Sequence, residues 1–175
     1  GCNENWLALG LTLAAFVTSR QPETFGPWPV YQGLPTLEED RTLPIDAQTR
    51  HMVACGVVDD ILIGNAYASE EELRLMASVN RANTTIRMEA VPGLTEAEKS
   101  AVYEHKHAGR NDASEYYIRS SFPRLDFKNT PIPARSCEKK NFVRGDVLVV
   151  NDNLSHYRGE VEIVLTEIEN DGQRN

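Results

Sequence analysis

The sequence predicts an α/β segment followed by a small β-rich domain with one helix. Three observations lead there. Residues Ile61 to Leu73, ILIGNAYASEEEL, read as strand, loop and helix in a single run. Leu11 to Thr18, LTLAAFVT, is nearly all apolar, as a strand buried on both faces should be. Beyond Asn83 helical periods give way, with one exception, to short alternating runs. The boundary falls between Ser78 and Thr84, so the two segments are 1–82 and 83–175.

The chain enters at the end of a helix, Trp6 to Gly10, and passes into the Leu11–Thr18 strand. A long loop follows, Ser19 to Pro35, rich in proline, glycine and aromatics; long loops at strand ends tend to be functional. Thr36 to Glu39 (TLEE) has the spacing of a capping box opening a helical turn. Pro44 suits the first turn of a helix running to Cys55, and Gly56 suits its C-cap. Asp60 to Ile63 is the second strand. Ser69 then caps a helix from Glu70 to Val79: Glu72 sits where it can reach back to the cap amide, and the acidic first turn suits the helix dipole. The intervening loop lies at the carboxyl end of a strand, where parallel α/β folds bind ligands.

After Asn83 the alternation of Thr84 to Ala90 predicts a half-buried strand. Pro92-Gly93 is a turn, and Thr95 to Glu98 (TEAE) opens a helix running to about Lys106. Tyr116 to Ser121, Val147 to Asn151 and Glu160 to Ile168 read as strands, and Asp126 to Lys140 as a loop.

A length of 175 residues allows one ordinary domain or two small ones. The net charge of -8 argues against a general nucleic-acid binder, though it leaves room for a local basic pocket. The three cysteines are widely spaced, with no CxxC pair, so a reducing compartment is the simpler reading and a structural zinc is unsupported. The apolar stretch Trp6 to Val17 is too short to span a bilayer and lacks a basic leader. A cytoplasmic protein with no membrane partner is expected. Both ends read as cut, as in a piece of a longer protein.

Three segments carry a family resemblance: GLPTLEEDR (Gly33 to Arg41), DDILIGNAYASEEEL (Asp59 to Leu73), and RNDASEYYIRSSFPR (Arg110 to Arg124), the last continued by RGDVLVVND and HYRGEVEI. Together they resemble the MupG-type 6-phospho-N-acetylmuramidases. The resemblance implies the last βα units of a TIM barrel followed by a small cyclophilin-like β-barrel. It also implies cleavage, during cell-wall recycling, of the disaccharide of N-acetylmuramic acid 6-phosphate and N-acetylglucosamine. A full barrel needs roughly 250 residues, and the first segment has room for about two of its eight units. The chain departs from the family pattern at Asn65, where an acid is usual, and at Asn111, where proline is.

Glycoside hydrolysis normally uses two carboxylates facing the scissile bond. Glu38 is the carboxylate nearest a strand's carboxyl end; the alternative is that Glu38 and Glu39 only cap and polarise a helix. The catalytic pair is expected mainly in barrel strands upstream. A phosphomonoester is matched by guanidinium forks, and the second segment holds Arg110, Arg119, Arg124, Arg135, Arg144 and Arg158. Arg119 and Arg124 flank a strand end and are placed to reach one ligand. Surface ion pairs with Asp112, Glu115, Asp146 and Glu160 are the alternative. Asn65 is a further substrate contact by the resemblance, and Asn151 and Tyr157 could hydrogen-bond a sugar or, as such residues more often do, close turns or pack at a domain edge. Arg20, Trp28 and Tyr31 could form a sugar platform in the long loop, or simply pack it down.

His105 and His107 lack a suitably spaced third metal ligand, and His51 reads as a helix residue. No phosphate-loop, GxSxG or HExxH motif is present, and no cofactor is implied. Two readings of other classes stand beside the glycosidase: a non-catalytic phosphosugar-binding or dimerising module, and a prolyl isomerase suggested by fold alone. Exposed parallel strand edges predict aggregation or assembly, a homo-oligomer being one form of it.

Overall fold

The computed structural model describes residues 2–26, 31–112 and 114–175, so Trp28 lies outside the described residues. The chain divides into two compact units, Gly1–Glu89 and Ala90–Asn175.

In the first unit, helix α1 (Cys2–Ala8) leads to strand β1 (Ala14–Val17). Strand β2 (Asp60–Ile63) pairs with β1 in parallel, Ala14 opposite Asp60 and Val17 opposite Ile63. Helix α2 (Ile45–Ala54) lies in the crossover, and α3 (Glu70–Ala77) follows β2. Ala15 and Val17 pack with Ile61 and Ile63 against Ile45 and Met52 of α2 and Leu75 and Met76 of α3. Truncating a side chain as buried as Met52 to alanine costs about 2–5 kcal/mol.

The opposite face of this ribbon is open. Phe16 and Leu62 are paired across the strands and each is 46% exposed. The Leu11–Thr18 strand is therefore buried on one face, not both, because α2 and α3 cover only one side among the described residues.

The capping signals separate into one that forms and one that does not. At α3, Ser69 Oγ accepts from the Glu72 amide and the Glu72 carboxylate accepts from the Ser69 amide. The TLEE stretch forms no such box. Thr36 Oγ1 accepts from the Phe16 amide of β1, and the turn at Glu38–Asp40 is a 3-10 turn capped by no side chain. Thr84 to Ala90 is not a strand: no partner strand lies alongside it among the described residues, and Ile86 and Met88 are exposed. Instead Arg50 donates to Thr85 and Arg87 pairs with Asp46, tying this segment to α2.

The second unit opens with α4 (Glu96–Lys99), whose Thr95–Glu98 capping box forms in full. The helix widens into a π turn, Ser100–Glu104. Strand β3 (Tyr117–Ser120) pairs antiparallel with β6 (Val161–Val164), which pairs on its other side with β5 (Val147–Val149). Strands β4 (Asn141–Phe142) and β7 (Ile168–Glu169) form a second small antiparallel sheet. A short helix, α5 (Phe122–Asp126), with proline in its first turn, follows β3 directly. Neither α5 nor β4 is signalled by the sequence pattern, both being too short to show a period.

The β3–β6–β5 sheet is packed on both faces. Val149 and Val161 meet Ala101, Phe127 and Ile132 on one side. Leu148 and Val164 meet Phe142 and Ile168 on the other. The sheets hold two, three and two strands, and none closes into a barrel among the described residues. No described helix is long and apolar enough to cross a membrane.

Candidate functional site

The larger cavity is in the second unit, about 500 Å³, between the Ala108–Asn111 loop and the β3–α5 junction. Arg110, Ser121, Phe122, Arg124 and Leu125 line it. One connected polar network places its two arginines. Glu160, only 1% exposed, accepts the Ser121 hydroxyl proton at 2.6 Å and has Arg124 Nη1 at 3.8 Å. Arg110 donates to Ser121 Oγ at 3.3 Å and to Asp112 at 2.7 Å. Arg119, in β3, pairs with the other oxygen of Asp112. The Arg124 guanidinium also lies 5.0 Å from the centre of the Tyr157 ring, a cation–π contact.

Asp112 holds its carboxyl below the usual carboxylate range, chiefly through its hydrogen bond from Arg110, which in turn is raised by the same bond. Arg110 and Arg124 thus line the cavity with Asp112 and Glu160 on their far sides, and Arg119 stands behind Asp112. Phe122 and Leu125, both well exposed, form an apolar wall of the same cavity. The arrangement can hold an oxyanion with a guanidinium fork while an apolar group rests on the wall.

Gly159 fixes the approach to Glu160. Its φ is +80°, and an added Cβ would stand 2.7 Å from Phe127 Cβ. Only glycine fits both the left-handed backbone and the contact.

Of the other predicted contacts in this unit, Asn151 is fully buried and wholly engaged. It donates to the Gly172 carbonyl and to Asn175 Oδ1, and accepts from the Asn153 amide. It serves the fold and has nothing left for a sugar. Arg158 is held by Asp152 at 2.5 Å and by the Lys128 carbonyl at 3.2 Å. Arg135 pairs with the buried Glu98 at 3.0 Å, and Arg144 stands exposed at a turn. The structure therefore brings Arg110, Arg119, Arg124 and Tyr157 together and leaves Asn151 and Arg158 elsewhere. His107 binds Ser120 and the Val102 carbonyl. His105 Nδ1 lies 2.8 Å from the Ser100 carbonyl oxygen and its Nε2 lies 2.9 Å from Asp126 Oδ2.

A second, polar cavity of about 270 Å³ lies in the first unit at the carboxyl end of β1, lined by Ser19, Arg20, Tyr31, Gly33 and Arg41 among others. A buried lattice supports it. Asn65 accepts from Thr18 Oγ1 and the Ser19 amide and donates to the Ser19 carbonyl, which stitches the two strand ends together. Gln48 brackets Thr18 from α2, accepting its amide and donating to its carbonyl. Glu72 takes the Ser19 hydroxyl, the Arg20 amide and the Ser69 amide. Burial pushes the Glu72 carboxyl up, but these donors outweigh it and hold it below its ordinary value. Asn65 thus lies beneath the cavity as a support, while Arg20 and Tyr31 are at its surface.

Glu38 is exposed and forked onto Arg41, with both contacts at 2.6 Å. Arg41 also donates to the Gln32 and Gly33 carbonyls, anchoring the long loop. The hydrogen bond from Arg41 holds the Glu38 carboxyl low, the opposite of what a proton donor near neutrality needs.

Sequence reasoning missed Ser19, Gln48 and Glu72 as the floor of the first unit's cavity, and Ser121 and Glu160 as the spine of the second unit's. A glutamate opening an apolar strand directly after glycine, GEVEIV, was the one signal of a buried acid.

Two family models match the chain. That described as 6-phospho-N-acetylmuramidase, N-terminal covers residues 1–78, and that described as 6-phospho-N-acetylmuramidase, C-terminal covers residues 84–175. The fold is similar to the crystal structure of an uncharacterized B. cereus protein, with TM-score 0.90 and 40% identity over 99% of this chain and 49% of that one. It is also similar to a conserved Enterococcus faecalis protein of unknown function, with TM-score 0.63 and 25% identity over 99% of this chain and 45% of that one. The chain spans about half the length of these two structures. No curated protein matches.

Proposed function

We propose, for a chain that belongs to the 6-phospho-N-acetylmuramidase family, that it forms part of a glycosidase acting on a disaccharide of N-acetylmuramic acid 6-phosphate and N-acetylglucosamine. In this reading the second unit supplies the phosphate site. The observation that carries it is the pair of guanidiniums, Arg110 and Arg124, lining one cavity around Ser121. Arginine forks match phosphate oxygens, and two of them lining one cavity suit a phosphomonoester.

The first unit would contribute the last two strands of a TIM barrel. The parallel β1–β2 pair supports this, as does its open face carrying Phe16 and Leu62, a face that further strands of a barrel would enclose. The cavity at the β1 carboxyl end, with Arg20 and Tyr31, is then part of the barrel rim. The antiparallel sheets of the second unit would be those of a cyclophilin-like domain. The catalytic carboxylates are assigned to further barrel strands, because Glu38 is committed to Arg41. A cytoplasmic location fits a recycling enzyme, and self-assembly fits the open β1–β2 ribbon.

The test is calorimetric titration of the chain with N-acetylmuramic acid 6-phosphate beside the unphosphorylated sugar. Preferential binding of the phosphorylated sugar, reduced at least tenfold by Arg124→Ala or Arg110→Ala, is expected. Equal binding of both sugars, or a preference untouched by both substitutions, overturns the assignment.

A further inference from the structure

We infer that Ser121, its proton held by Glu160, makes the cavity of the second unit select an oxyanion that carries a proton of its own: a phosphate monoester over a sulfate monoester. The inference rests on reading that cavity as the phosphate site. Ser121 has one O–H to give and two lone pairs to offer. A carboxylate only accepts, so the 2.6 Å contact commits the hydroxyl proton to Glu160. Arg110 donates to one lone pair at 3.3 Å. The second lone pair has no donor among the described residues, and Ser121 lines the cavity.

An acceptor set among guanidiniums is useless to a sulfate monoester, whose free oxygens are themselves only acceptors. A phosphate monoester loses its last proton near pH 6, so in weakly acidic solution it keeps one P–O–H to donate. Glu160 is buried, and the oxygen that takes the Ser121 proton also faces Arg124 Nη1 at 3.8 Å. The other charged or titratable groups around Ser121 are Arg110 with Asp112 and Arg119 behind it, and Arg124 with Tyr157 and its ring neighbour His156. These act alike on both esters when the ligands carry equal charge.

The experiment titrates the 175-residue chain with N-acetylglucosamine 6-phosphate and with N-acetylglucosamine 6-sulfate at about pH 5, where each ester carries one negative charge. The phosphate ester is expected to bind at least tenfold more tightly. Ser121→Ala should bring the two within about twofold in a sample that still melts cooperatively, its melting temperature lowered by the lost bond to buried Glu160. Glu160→Gln gives a second arm: its amide can donate to Ser121, freeing the hydroxyl proton, so sulfate-ester affinity should rise. Equal affinities in the parent chain overturn the inference and leave the phosphate-site reading standing. Binding of neither ester by a folded sample overturns both.

Discussion

Replacing Arg174 with methionine should unfold the second unit far more readily than its position near the end of the sequence implies. The Arg174 side chain is 10% exposed and pairs with Glu162, 4% exposed, at 2.6 Å. It also stacks on the Tyr117 ring at 5.4 Å. Methionine keeps much of the apolar stem and removes the charge, so a buried carboxylate is left without its partner. Breaking such a pair costs about 3–5 kcal/mol. For a domain of this size each kcal/mol moves the melting temperature by about 4–8 °C, so a fall of at least about 12 °C is expected. The loss depends on pH. Burial already pushes the Glu162 carboxyl above the usual range, against the opposing pull of Arg174, and removing Arg174 raises it further. A raised folded-state value penalises the ionised form, so the penalty is full at high pH and falls as the group protonates. Thermal melts at about pH 8 and pH 4 should show the larger loss at pH 8. Glu162→Leu with Arg174→Met should recover most of it, because a packed apolar pair can replace a buried ion pair. A single variant melting within about 3 °C of the parent at neutral pH, or losing the same amount at both pH values, would mean that Arg174 does not neutralise a buried Glu162.

Two further outcomes are expected. Gly33→Ala should destabilise the first unit by about 2–5 kcal/mol in urea unfolding: Gly33 has φ +74°, and an added Cβ would stand 1.9 Å from Thr18 Oγ1, which is buried and bonded to Asn65; an unchanged midpoint contradicts this. His105 is raised above its ordinary value, first by the Ser100 carbonyl and then, against a burial penalty, by Asp126, so its contribution is full below about pH 6.5 and lost as pH rises through the folded value. His105→Gln should flatten the decline in second-unit stability between about pH 6 and 9, and an unaltered pH profile would exclude the assignment.

What the sequence made legible was what short-range chemistry decides. Ser69 and Glu72 lie three residues apart and satisfy each other, so the α3 start could be read from the letters alone. TLEE carries the same letters, but the Thr36 hydroxyl is claimed by the Phe16 amide, twenty residues back in the chain, and no local rule could register that competitor. The alternation of Thr84 to Ala90 is real, yet a strand needs a neighbour and none is provided among the described residues. The site shows the same division. Arginine as a residue type pointed to the cavity: Arg110 and Arg124 line it, and Arg119 joins them through Asp112. Arg158 and Asn151 look alike on paper, and their engagement with Asp152 and Asn175 is a property of folded contacts. Glu160 was read only as an ion-pair partner; its place after glycine at the head of an apolar strand hints at burial, but the burial itself is a property of folded contacts.

The most direct measurement of the central claim is a crystal structure of the chain with N-acetylmuramic acid 6-phosphate bound. The phosphorus is expected within about 5 Å of both the Arg110 and Arg124 guanidiniums, beside Ser121. A phosphate seated instead at Arg20 and Arg41, with the Arg110–Arg124 cavity empty, would contradict it.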